Sequence, residues 1–153
     1  MALKVGDKIP KFVAKNTNGE DFDSEQIVGK KIVVFYFYPK DNTSICTAQA
    51  CSFRDQYEEF TDLGAEVIGI SSDSVASHKR FAKQHNLPFT LLADEDKKIR
   101  TLFGVPTALF GMLPGRVTYV IDKKGTIQMV FNSMKGPNHI TKALEFIKKN
   151  TVL

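Results

Sequence analysis

The chain carries two cysteines, Cys46 and Cys51, five residues apart. Both fall in a stretch with helical spacing, about Ser44 to Asp62, that follows the apolar run Ile32–Phe37 and Pro39. At about 100° per residue, Ala50, Phe53, Tyr57 and Phe60 all lie within about 40° of Cys46. That stripe has to face a core, so Cys46 points inward from the first helical turn. There it meets free backbone N–H groups and the positive end of the helix dipole, with Thr43 or Ser44 as the natural N-cap. Both features favour thiolate over thiol, and thiolate is the nucleophilic form of cysteine. Direct attack on a peroxide would give a sulfenic acid. A free cysteine that packs as a small hydrophobe would occupy the same position, so helical position alone does not decide between the two readings.

Cys51 adds a constraint. In an intact helix its Cα lies about 8.6 Å from that of Cys46, on a face rotated by ~140°. A disulfide needs Cα atoms within ~7 Å. The two sulfurs can bond only if the first turns unwind, and element ends are where local opening is easiest. There is no C-x-x-C, which argues against a thioredoxin-type thiol–disulfide oxidoreductase.

The elements that must position these residues can be read along the chain. Lys11–Ala14 and Asp21–Phe22 flank the turn signal Asn18-Gly19 and read as a hairpin. Ile32–Phe37 reads as a strand buried on both faces, ended by Pro39. After the cysteine helix come a strand at Ala65–Ile70, a helix at Val75–Gln84, a short strand at Phe89–Leu92 and a short helix at Asp96–Phe103. Val117–Ile121 and Ile127–Phe131 form a hairpin around Lys123-Lys124-Gly125, and Asn138–Asn150 is a closing helix. Strands alternating with helices, then a hairpin, predict an α/β domain with a mixed sheet. Sites in such sheets gather beyond the carboxyl ends of the strands, which is where Tyr38–Cys46 falls.

Composition narrows the classes. The 153 residues are 42% hydrophobic and 25% charged, as in one globular domain spanning 1–153 without a linker. The net charge of +4 is spread over scattered lysines, with no aromatic-interleaved stripe, so no nucleic-acid partner is expected. His78, His85 and His139 show no tight spacing with either cysteine, so no metal site is expected. The longest apolar run, Ile32–Tyr38, is far short of the roughly 20 residues that span a bilayer. Met1–Gly6 has no signal-peptide core. The expected location is the cytoplasm, or the plastid if a transit peptide has been removed.

The run Pro39-x-x-x-Thr43-x-x-Cys46 resembles the peroxidatic motif of the peroxiredoxins. Phe35–Asp41, Phe53-Arg54-Asp55, Phe103-Gly104-Val105 and Leu113–Asp122 are similar to the peroxiredoxin Q group, also called bacterioferritin comigratory protein, and the likeness covers nearly the whole chain. It implies a thioredoxin-like fold with an N-terminal hairpin extension. It implies that Cys46 is the peroxidatic cysteine and Cys51 the resolving one. Thr43 would hydrogen-bond the thiolate and the peroxide, Pro39 would shield the pocket, and Arg116 would supply a fixed charge beside the sulfur. Taken singly, Thr43 could be only an N-cap, Pro39 a strand terminator and Arg116 a surface residue. The implied activity is reduction of hydrogen peroxide and small alkyl hydroperoxides through a Cys46–Cys51 disulfide. Thioredoxin or a similar dithiol would be the reductant, no metal, haem, flavin or nicotinamide would be bound, and the protein would be a monomer. Two features depart from the group. Ser44-Ile45 stands where many relatives have Pro-Gly, and Gln49 stands where many have Glu, so a bond from that position to an arginine would be neutral. The rival readings are a non-enzymatic thioredoxin-like binding module and a peroxide sensor that passes its oxidation to a client.

Overall fold

The computed structural model describes residues 2–108, 113–134 and 136–150. Nine strands are assigned in chain order: β1 (Val13–Lys15), β2 (Asp21–Asp23), β3 (Ile32–Phe37), β4 (Ala65–Ser71), β5 (Thr90–Ala93), β6 (Thr107–Ala108), β7 (Leu113–Pro114), β8 (Val117–Ile121) and β9 (Ile127–Asn132). The α-helices are α1 (Ser44–Asp55), α2 (Tyr57–Asp62), α3 (Val75–Gln84), α4 (Lys98–Phe103) and α5 (Pro137–Lys149). Seven strands form one mixed sheet in the order β2-β1-β5-β4-β3-β8-β9. β3 pairs parallel with β4 and antiparallel with β8, and β4 pairs parallel with β5. β1 and β2 form the expected hairpin at the edge, and β8 and β9 the later one.

All six residues of β3 are buried, as its unbroken apolar run requires of a strand covered on both faces. The pleat sends alternate side chains to opposite cores. Ile32, Val34, Tyr36 and then Tyr38 join Cys46, Ala50, Phe53, Phe60, Phe81, Ile140 and Leu144 under α1, α2, α3 and α5. Val33, Phe35 and Phe37 join Phe12, Ile68, Ile99, Phe103 and Tyr119 on the other face, under α4 and the N-terminal segment. Tyr36 and Phe53 stack at 4.6 Å between ring centroids and bind α1 to the sheet. Gly69 on β4, paired with Tyr36, makes room for that ring: a Cβ there would lie 2.7 Å from Tyr36 Cζ.

Three expectations need correction. The helix expected over Ser44–Asp62 is broken at Gln56, whose φ of −101° and ψ of 4° separate α1 from α2. No glycine or proline marks the break. The next residue, Tyr57, is held by its hydroxyl to Glu66 at 2.8 Å, a tertiary contact that sequence periodicity does not contain. The helix expected from Asp96 starts at Lys98, because the Asp94 carboxylate accepts the N–H groups of Ile99 and Arg100 at 2.9 Å each and sets the first turn there. The strand expected at Phe89–Leu92 is shifted by one residue. The small β6–β7 pair was not expected, since two-residue strands carry no period. No described helix is long and apolar enough to cross a membrane.

Candidate active site

Cys46 sits in the first turn of α1, immediately beyond the carboxyl end of β3, and is 1% exposed. Its wheel partners Ala50, Phe53 and Phe60 are buried with it, and Tyr57 is half-buried against the same core. Arg116, just before β8, is 2% exposed. It donates from Nη2 to Cys46 Sγ at 3.1 Å and from Nη1 to Gln49 Oε1. β3 and β8 are neighbours, with Phe37 opposite Val117, so the residue before β8 arrives beside the loop that leaves β3. Arg116 is thus no surface residue. Its acceptor at residue 49 is a neutral amide, as a glutamine there requires.

Among the described residues, no carboxylate forms an ion pair with Arg116. A buried guanidinium needs polar partners, and those its fork meets are Cys46 Sγ and Gln49 Oε1. Arg116 Nε and Gln49 Nε2 are buried without a hydrogen-bond partner among the described residues, and the amide oxygen of Gln49 accepts from the guanidinium.

Pro39, Thr43 and Arg116 line one cavity of about 410 Å³, together with Lys40, Ser44, Ile45 and Met134. The cavity is therefore polar at Arg116 and apolar at Pro39, Ile45 and Met134, and Ile45 is 47% exposed. Thr43 is the N-cap of α1 by backbone geometry, but its side chain makes no capping bond. Its hydroxyl donates instead to the Lys40 carbonyl at 3.0 Å. Cys51 is half-buried, and both thiols are free. An unbroken α1 carries both cysteines, so the structure does not bring them together.

Several residues that hold the site were not singled out from sequence. Asp41 is 4% exposed; it accepts the Tyr38 hydroxyl at 2.6 Å and the Ser77 hydroxyl at 2.9 Å, and lies 2.7 Å from His78 Nδ1. Burial, with Asp41 beside it, holds the Tyr38 phenol well above its ordinary value, so it remains a donor. Arg100, also buried, donates to the Tyr38 carbonyl at 3.0 Å and the Gly115 carbonyl at 3.2 Å. It ties the loop carrying Pro39 to the segment carrying Arg116. An aspartate following Tyr-Pro-Lys was the available signal for Asp41; for Arg100 none exists, because its partners are carbonyl groups. Ligand atoms of Asp41, Asp73 and His78 lie within 4.8 Å of one another. That spacing follows from hydrogen bonds already made: Asp41 Oδ2 to Ser77 and His78, and Asp73 Oδ2 to Ser71 and the Asp41 N–H.

Behind Arg116, His139 is buried between Thr118, 2.7 Å from Nδ1, and the Ser133 carbonyl, 2.6 Å from Nε2. Burial, and then the Arg116 charge against the opposing pull of the Ser133 carbonyl, push it down to about 4.

The chain has counterparts among known proteins. The AhpC/TSA family model matches residues 5–130. A chloroplastic peroxiredoxin Q of Sedum lineare is 51% identical over 94% of this chain and 77% of its own length. The chain belongs to the AhpC/TSA family, within its peroxiredoxin Q group. A chloroplastic peroxiredoxin Q of Gentiana triflora is 53% identical over 91% of this chain but 64% of its own length, so the chain spans about two thirds of such relatives. The crystal structure of the peroxidoxin BcpB from Mycobacterium tuberculosis superposes with a TM-score of 0.88 at 32% identity, covering 96% of this chain and 97% of that one. The fold is the thioredoxin-like fold of the peroxiredoxins, as the resemblance implied.

Proposed function

We propose that the chain is a thiol peroxidase in which Cys46 attacks hydrogen peroxide and small alkyl hydroperoxides. The observation that carries this reading is the buried Cys46–Arg116 contact of 3.1 Å at the edge of a cavity that Arg116 shares with Pro39 and Thr43. In the reaction, the Cys46 thiolate attacks the terminal peroxide oxygen and the O–O bond breaks. The leaving alkoxide or hydroxide takes up a proton as alcohol or water, and Cys46 becomes a sulfenic acid. Arg116 offers fixed donors where charge passes from sulfur to oxygen. Thr43 contacts the peroxide, and Pro39 with Ile45 and Met134 excludes water. The start of α1 then unwinds, the Cys51 thiolate attacks the Cys46 sulfur, the S–O bond breaks, and the departing hydroxide takes up a proton as water while the disulfide forms. A thioredoxin-like dithiol returns both cysteines to thiols by exchange.

The absence of C-x-x-C speaks against the oxidoreductase reading. The compartment named for the relatives is the chloroplast, which supports the plastid reading over the cytoplasmic one. Residues 1–153 act as one domain and as a monomer, without a membrane or nucleic-acid partner. Stopped-flow oxidation of the wild type, Cys46→Ser and Cys51→Ser tests the assignment. Cys46→Ser is expected to abolish peroxide consumption, and Cys51→Ser to complete one turnover and leave a sulfenic acid trappable by dimedone. Continued turnover of Cys46→Ser with thioredoxin would sink the reading.

A further inference from the structure

We infer that Asp73, supported by Asp41, is a positioning residue for the peroxide step, acting through the peptide that joins Lys40 to Asp41. This rests on the proposed role of Thr43 as a peroxide contact. The peptide unit is planar and trans, so its N–H and C=O point in opposite directions and turn together. The N–H, belonging to Asp41, donates to Asp73 Oδ2 at 2.8 Å. The C=O, belonging to Lys40, accepts the Thr43 hydroxyl proton at 3.0 Å. Fixing one end of this plane aims the other.

The consequence is chemical. A hydroxyl has one proton and two lone pairs. With its proton committed to Lys40, Thr43 presents acceptor character to the cavity it lines. It can then take a hydrogen bond from the O–H of a hydroperoxide, whose protonated oxygen is the one Cys46 attacks. If the peptide were free to turn, the Thr43 proton could swing towards the cavity and meet that same O–H donor to donor.

The supports are built around this plane. Asp73 Oδ2 is itself held by the Ser71 hydroxyl at 2.6 Å, at the end of β4. Asp41 is clamped by the Tyr38 and Ser77 hydroxyls and His78, and the far nitrogen of His78 meets the Leu92 carbonyl at 2.9 Å. Asn42 takes a left-handed φ of 63°, a conformation asparagine tolerates better than most residues, and so folds the chain back to let Thr43 reach Lys40. None of these side chains is bonded to Cys46 or Arg116 in the structure; they serve the reaction by aiming a hydroxyl.

The test is a double-mutant cycle on the second-order rate constant of Cys46 oxidation by hydrogen peroxide, measured in the full chain by stopped flow. Asp73→Ala removes the acceptor and is expected to slow oxidation by roughly tenfold or more, in the range that small misplacements cost. Asp73→Asn keeps an oxygen acceptor and is expected to restore most of the rate. In a Thr43→Val background there is no hydroxyl to aim, so Asp73→Ala is expected to cost nothing further. Equal losses in both backgrounds would overturn the inference, as would an unchanged rate for Asp73→Ala alone. If Thr43→Val by itself leaves the rate unchanged, the Thr43 role fails first and takes the inference with it. Should Asp73→Ala not fold, Ser71→Ala, which frees the Asp73 carboxylate, is read in the same cycle with the same non-additive pattern expected.

Discussion

Lowering the pH from 7 towards 4 should destabilise the protein chiefly through His139. The ring is fully buried, its Nε2 hydrogen-bonds the Ser133 carbonyl at 2.6 Å, and its Nδ1 accepts the Thr118 hydroxyl at 2.7 Å. This is the full complement of a neutral imidazole. A second ring proton would have to displace the Thr118 donor and sit near the Arg116 charge. Burial first, and Arg116 after it, push the group from 6.5 down to about 4. The folded-state value is depressed, so the stabilisation is complete above 6.5, where both states hold a neutral ring. It falls as the unfolded chain takes up the proton that the folded chain refuses, and levels off below about 4, where both are protonated. A displacement of this size corresponds to roughly 3 kcal/mol across the window and roughly 2 kcal/mol by about pH 5. The assay is urea denaturation of the reduced protein at several pH values between 7 and 4, for the wild type and His139→Gln. Glutamine can still donate to a carbonyl and accept from a hydroxyl, but it does not titrate. The variant is expected to lose less stability than the wild type over the same window, by about that amount. Parallel pH dependences for the two proteins would refute the argument.

Three further outcomes are expected. Arg116→Leu should reduce the rate of Cys46 oxidation by about a hundredfold or more, as loss of a preorganised donor does; Arg116→Lys should not restore it, because one ammonium cannot replace the fork that reaches both Cys46 and Gln49. Recovery by lysine would show that charge alone matters. Gly136→Ala should destabilise the protein by roughly 1–3 kcal/mol in urea titrations, because its Cβ would lie 2.9 Å from the Ile45 carbonyl oxygen and 3.1 Å from Gln49 Cβ. An unchanged or raised stability would show that α1 and α5 can separate enough to admit the methyl group. Amide exchange over residues 44–52 should be faster in the Cys46–Cys51 disulfide form than in the reduced protein; equal protection would remove the need for α1 to unwind.

Much of this arrangement was legible in the chain. Unbroken apolar runs located β3 and β4, the turn at Lys123-Lys124-Gly125 located the β8–β9 hairpin, and helical spacing located α5. The inward direction of Cys46 followed from Ala50, Phe53 and Phe60 alone. What the sequence withheld depends on contacts across the fold. The break at Gln56 and the late start of α4 are set by Tyr57 reaching Glu66 and by Asp94 capping from outside the helix. Arg100 and Asp41 look like ordinary surface charges until the loops they bind are folded. Arg116 had to be taken from the family motif, since nothing in its local sequence says that β8 will lie against β3. Gln49 carried a readable sign, for an amide in place of a carboxylate leaves the arginine's charge unneutralised.

The supports on either side of Cys46 also limit where α1 can open. Upstream, the Tyr38–Asp41 segment is pinned by Ser77, His78 and Asp73, and Tyr38 is held again by Arg100. Downstream, Phe53 is buried and stacked on Tyr36. Between these fixed points lies the turn and a half of helix that separates Cys46 from Cys51, with exposed Ser44 and Ile45 at its start. This stretch is held inward by the burial of Cys46 and Ala50 in the core and by the pair of bonds from Arg116 to Cys46 and Gln49. Both are charge-assisted by the guanidinium, and in the proposed cycle a thiolate at Cys46 would add an opposite charge to one of them. Conversion to a neutral sulfenic acid would remove that charge, and the bond to Gln49 is accepted by a neutral amide that supplies none. On the proposed cycle, peroxide reduction would therefore weaken the hold of Arg116 on α1 at the step where Cys46 would leave Arg116 for Cys51.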